Sequence, residues 1–154
     1  MVAPPLVNYR ISRFFYNHKM KFFGKLFSYC NRLFFKCWIP GTAKIGKGTD
    51  VGYWGIGTII HSNAIIGNNC LIAQNVTIGK KLGDKGVPVI GNDVYVGTGS
   101  VVFGEITVGD NVIIGSNSVV NKDVPANCTV VGNPMRIIKE NRKETWRELH
   151  ELTR

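Results

Sequence analysis

The chain has 154 residues, with 19 Lys and Arg against 10 Asp and Glu for a formal net charge of +9, and 44% of its residues are hydrophobic. That is the length of one domain, with enough apolar residues for a sizeable core. No uninterrupted apolar run reaches the roughly 18 residues of a membrane-spanning helix, and with charge spread throughout and no small-residue cleavage site, a cleaved secretory signal is not expected.

Residues 1–38 are set apart by charge. They hold Arg10, Arg13, Lys19, Lys21, Lys25, Arg32 and Lys36 and no acidic residue. Apolar residues at Ile11, Phe14, Phe15, Phe22, Phe23, Leu26, Phe27, Cys30, Leu33, Phe34 and Cys37 fall close to helical spacing. Asn17 and Gly24 weaken the pattern, so the spacing predicts two short helices. The apolar stripe is expected to cap the end of the next segment, where strand edges would otherwise lie open. Peripheral contact with an anionic membrane is the second use of such a segment. Phenylalanines interleaved with the charges argue against nucleic acid as a partner.

After Ile39-Pro40-Gly41, which ends the helical segment, a repeat of six begins. Ile45, Val51, Ile60, Ile66, Ile72, Ile78, Ile90, Val96, Val102, Val108, Ile114 and Val120 keep the register, and glycine usually follows. A unit this short cannot bury its own apolar face and must stack on copies of itself. Three sixes make a triangular coil, with the β-branched residue pointing to the axis and the glycine expected to permit the corner. The period predicts a parallel β-helix over residues 39–134; a sandwich of alternating strands would need a period of two. Two insertions break the count, "GYWGIG" between Val51 and Ile60 and "GKKLGDKGVPV" between Ile78 and Ile90. Loops on a rigid scaffold often carry function. Eighteen residues complete a turn, so one column should hold Ile60, Ile78, Val102 and Val120, with His61 at the root of the second insertion.

The polar end, "RIIKENRKETWRELHELTR", carries a sparse stripe of Ile138, Trp146, Leu149 and Leu152 and predicts a C-terminal helix over 135–154 closing or crossing the far end. Cys30, Cys37, Cys70 and Cys128 lack metal-ligand spacing, so no metal is expected, and buried free thiols in a reducing cytoplasm are.

Residues 39–139 resemble the hexapeptide-repeat acyltransferases. The resemblance rests on "VGDNVIIGSNSVVNKDVPANCTVVGNPMRIIK", with its Lys-Asp-Val-Pro turn and Gly-Asn-Pro loop. "YRISRFFYN" and "NRLFFKCWIPGTAKIGKG", followed by the first insertion, are similar to the serine acetyltransferase branch, which also includes small O-acetyltransferases of capsule and lipopolysaccharide synthesis. The resemblance implies an all-β fold, a left-handed parallel β-helix, assembled as a homotrimer with acetyl-CoA in the groove between neighbouring coils. It places main-chain groups of Ala73, Gly97, Thr98, Gly115 and Ser116 along the pantetheine arm, and Lys122, Arg136 and Lys139 near the cofactor phosphates. As solvated surface, those three cations would need no such role.

The acceptor half departs from serine acetyltransferase. The family's aspartate before the Ile-His-Pro opening, and its two histidines, fall here on Trp38, Tyr53 and Gly86 or Val87. A tyrosine, with an ordinary pKa of about 10, is a poor base near neutrality. His61 is the one imidazole within the coil and the expected general base; its other reading is a corner residue bonded to the loop backbone. Asp84 in the second insertion is the fallback, and Tyr53 completes the catalytic candidates. Together these features lead to an expected acetyl-CoA-dependent O-acetyltransferase acting on a sugar hydroxyl of a surface-polysaccharide precursor. Tyr53 and Trp54 would stack on a small or lipid-linked sugar, and the enzyme would be cytoplasmic, touching the inner face of the membrane through residues 1–38. The alternatives are serine O-acetylation, transfer to an amino-sugar amine, and a non-catalytic β-helix serving as an assembly module.

Overall fold

The computed structural model describes residues 2–152. Two helices, α1 (Pro4–Asn17) and α2 (Lys21–Phe35), open the chain. Short strands follow: β1 (Lys44–Ile45), β2 (Asp50–Val51), β3 (Ile59–Ile60), β4 (Ile65–Ile66), β5 (Leu71–Ile72), β6 (Thr77–Gly79) and β7 (Val89–Ile90). Beyond the second insertion lie β8 (Tyr95–Val96), β9 (Val101–Phe103), β10 (Thr107–Val108), β11 (Ile113–Ile114), β12 (Val119–Val120) and β13 (Thr129–Val131). The chain ends with β14 (Arg136–Lys139) and α3 (Trp146–Leu152).

These strands form three faces of a prism. The first is β1-β4-β7-β10, the second β14-β13-β11-β8-β5-β2 and the third β12-β9-β6-β3. All pairs are parallel except β13 with β14. Ile60 pairs with Ile78, Ile78 with Val102 and Val120 with Val102, which is the column the repeat predicts. Each is fully buried, in a core that runs the length of the axis. The arrangement matches a left-handed β-helix of hexapeptide repeats.

The corners are turned differently from the expectation. Several of the glycines after the aliphatics serve close stacking: a Cβ on Gly67 would sit 2.4 Å from the Gly91 carbonyl oxygen of the next coil. The left-handed conformation falls two residues later, often on asparagine, as at Asn69 and Asn117, whose short polar side chain tolerates it.

The helical pair does cap the first coil, but with another face. Leu6 and Tyr9 are 1% exposed. The Tyr9 hydroxyl donates to the Ala43 carbonyl at 2.9 Å and accepts the Ile45 N–H at 3.0 Å. Burial raises the phenol's pKa, so it stays neutral. Tyr9→Phe should cost about 1–3 kcal/mol, because it strands the Ile45 N–H beneath the cap; urea unfolding at fixed protein concentration measures it. The expected apolar stripe points elsewhere: Phe14, Phe22, Phe23, Leu26, Leu33 and Phe34 are exposed.

The C-terminal region also differs from a helix over 135–154. Arg136–Lys139 folds back as an antiparallel strand on β13, and the helix starts only at Trp146. Arg142, 3% exposed, bonds Asn111 and Glu144 and so reverses the chain. The segment then returns along the second face, where Trp146 Nε1 donates to the Asn69 carbonyl at 3.1 Å and Arg147 to that of Gly48 at 3.3 Å. A polar segment with one tryptophan straps the coils together rather than closing the far end. The four cysteines are free thiols, and burial pushes Cys37 up to about 11.

Candidate active site

Two corners of the prism carry the expected functional residues. The corner between the third and first faces holds His61, Gly79 and the long insertion. The Ile60–Ile78 pairing sets His61 against the root of that insertion, and the His61 N–H donates to the Ile78 carbonyl at 2.8 Å. His61 is half-buried, and its Nδ1 accepts the Asn63 N–H at 3.1 Å. In the neutral ring the proton then lies on Nε2. A base role therefore runs through Nδ1, with an incoming hydroxyl displacing the Asn63 N–H.

The insertion above is tied down rather than loose. Asp84 accepts the Glu105 N–H at 3.0 Å, and Glu105 accepts the Gly86 N–H at 3.1 Å. This reciprocal pair fixes the loop to the turn after β9 and accounts for Asp84 as an anchor. Tyr53 is 77% exposed in a short turn over Gly52–Gly55, where it and Trp54 adopt left-handed backbone angles. Trp38 is part of the scaffold, its N–H bonded to Thr58 O at 2.8 Å and its ring against Tyr29 at 5.6 Å.

The other corner, between the second and third faces, stacks Ala73, Gly97 and Gly115 as the register predicts. The Ala73, Gly97 and Gly115 N–H groups already donate to Val96 O, Ile114 O and Val130 O at 2.8–2.9 Å. Ala73 and Gly97 are also buried. The Thr98 and Ser116 N–H groups stand outside that ladder, and Ser116 is exposed. Gly97 makes the corner tight, since a Cβ there would meet the Ser116 nitrogen at 2.6 Å.

The three cations do not gather within one chain. Arg136 pairs with Val131, at the end of the Gly115 corner, whereas Lys139 pairs with Thr129 at the far end of the same strand. Lys122 follows β12 and lies above the His61 corner. All three are exposed.

The two corners are separated by the whole third face. Six extended residues span at most about 20 Å, and the third face stands between His61 and the Thr98–Ser116 edge of one chain. Ile59, Val101 and Val119 occupy outward positions on that face, beside Thr77. Tyr95 packs against Trp146 of its own chain, with ring centroids 6.3 Å apart. The sequence contained a signal for this separation: residues in the register of Val96 and Ile114 belong to one corner, those of Ile60 and Ile78 to the next.

Residues 88–122 match the model of the bacterial transferase hexapeptide family (six repeats). A serine acetyltransferase of Synechococcus elongatus is 41% identical over 86% of this chain and 55% of its own length. That of Bacillus subtilis is 38% identical over 92% of this chain and 66% of its own. Among solved structures, serine acetyltransferase from Brucella abortus superposes with a TM-score of 0.83 at 32% identity, covering 88% of this chain and 55% of that one; the same enzyme is also solved in complex with Coenzyme A. The chain thus spans between about half and two thirds of the length of these relatives, and it carries the scaffold of the hexapeptide-repeat transferase superfamily. The expected sugar acceptor of surface-polysaccharide synthesis, lipid-linked or free, is corrected by these relatives, which are serine acetyltransferases.

Proposed function

Starting from a hexapeptide-repeat transferase scaffold, we propose that this chain is an acetyl-CoA-dependent O-acetyltransferase with L-serine as acceptor, acting as a homotrimer with sites shared between copies. The observation that carries the activity is the relationship to serine acetyltransferases at 38–41% identity across 86–92% of the chain. A complex of the Brucella enzyme with Coenzyme A supports the choice of donor.

The separation of the two corners supports the shared site. In a closed three-fold ring the same two edges meet at every interface. Thr98 and Ser116 of one copy then line the pantetheine arm, with Arg136 at the end of that edge for the phosphates. The neighbouring copy supplies His61, the loop held by Asp84, and Lys122. Lys139, at the far end of its strand, is left as surface.

In the reaction, the serine hydroxyl displaces the Asn63 N–H and donates to His61 Nδ1. The proton passes to the ring as the serine oxygen bonds to the thioester carbonyl carbon. The C–S bond then breaks, and the departing CoA sulfur takes the proton back from Nδ1. The products are O-acetylserine and CoA. With acetyl-CoA present, L-serine should drive release of CoA thiol well above hydrolysis, with O-acetylserine identified by mass. Absence of serine-dependent release, while another hydroxyl compound is acetylated, would overturn the acceptor.

A further inference from the structure

α2 carries its apolar residues on the outside. The stripe it presents to α1 is Gly24, Ser28 and Asn31, all buried. Small size and hydrogen bonds to α1 make that contact possible, with Asn31 Oδ1 left buried and without a partner. Ser12 donates to the Gly24 carbonyl at 2.7 Å and lies 3.0 Å from Ser28, and Asn31 donates to the Pro5 carbonyl at 3.0 Å. No room is left there for the aromatic residues. A Cβ on Gly24 would already meet the Tyr16 ring at 2.7 Å.

At about 100° per residue, the exposed positions sort into two arcs. Tyr29, Phe22, Leu33, Leu26, Phe23 and Phe34 fill about 140° of the helix in that angular order. Lys21, Arg32, Lys25 and Lys36 occupy the adjoining arc of about 60°. Phe22 and Phe34 are 75% and 70% exposed. The arc opens into a groove of about 910 Å³ between α2 and the third face, lined by Leu33, Trp38 and Ile59 with Arg32 and Lys36.

An exposed apolar arc bordered by cations, on a helix with no acidic residue, matches the chemistry of a bilayer surface with anionic headgroups. We propose that this face docks on an anionic lipid surface. α2 lies in the headgroup plane, its phenylalanines and leucines reach the acyl boundary, and the four cations meet lipid phosphates. A second copy joined through the same face is a poorer occupant, because pairing two such faces sets cations against cations with no carboxylate on either helix. No helix of the described residues is long and apolar enough to cross the membrane, so the contact is one of lying on the surface.

The experiment uses the full chain with phosphatidylcholine vesicles, with and without phosphatidylglycerol. It should sediment with the anionic vesicles, not with the zwitterionic ones, and salt should release it. Each surface cation contributes about fivefold to partition, so Lys21→Gln with Lys25→Gln should weaken it by about 25-fold. Phe22→Ser with Phe34→Ser, both far out in solvent, should also weaken it while the far-ultraviolet spectrum stays unchanged. No partition into anionic vesicles, or partition indifferent to both pairs, overturns the proposal. So does a lipid-free assembly that shrinks on Phe22→Ser/Phe34→Ser, which would assign the face to a second copy. Vesicle binding needs neither acetyl-CoA nor acceptor, so its failure is separable from failure of the proposed activity.

Discussion

His61→Ala should lower acetyl transfer by about 10²–10⁴, the usual cost of removing a positioned base, while acetyl-CoA binding by calorimetry persists. The variant should fold, because the link between coils at this position is the backbone bond from His61 N–H to Ile78 O. A stronger test follows from the two corners. Ser116→Arg should block the donor edge and by itself abolish activity. Co-refolding it with His61→Ala should restore activity at about a quarter of the sites, since random mixing in a three-fold ring pairs two intact halves that often. Zero recovery in mixed assemblies would place both halves in one chain and remove the shared site. Retained activity in His61→Ala alone would make the residue a corner bonded to Asn63.

Ile78→Ala should destabilise the fold by about 2–5 kcal/mol, the range for emptying a fully buried aliphatic site. Ile78 is 0% exposed and stacks between Ile60 and Val102 in the third-face column. Flanking side chains are held by parallel ladders above and below, so the coil cannot collapse into the void. Urea midpoints at one protein concentration measure the loss, which must be separated from dissociation of the assembly. A loss within the few tenths of a kcal/mol usual for surface substitutions would mean that the column carries little of the stability.

The period of six was sufficient to place every column, because β-branched residues have only the axis in which to be buried. It also located both insertions and set His61 against Ile78. The pair of N-terminal helices was legible, since Asn17 and Gly24 interrupt an otherwise helical spacing, although Gly24 proved to be an interior residue of α2. Which side of α2 faces inward was not legible. Hydrophobic spacing alone assigns Phe22, Leu26 and Leu33 to the interior, but the close approach to α1 admits only Gly24, Ser28 and Asn31.

By itself the sequence determined the coil, its register and the residues that could take part in chemistry, because these follow from local periodicity and residue type. The acceptor was beyond it: two substituted positions, Trp38 and Tyr53, outweighed a relationship that runs along most of the chain. Only the tertiary structure decided which groups remain available. It spent the Ala73, Gly97 and Gly115 N–H groups on the ladder, bound Asp84 into the loop and dispersed Lys122, Arg136 and Lys139. It also set His61 and Ser116 on different corners, with the third face between them. Hydrogen-bond commitment and separation across a face arise only when distant coils meet, and no six-residue repeat contains them.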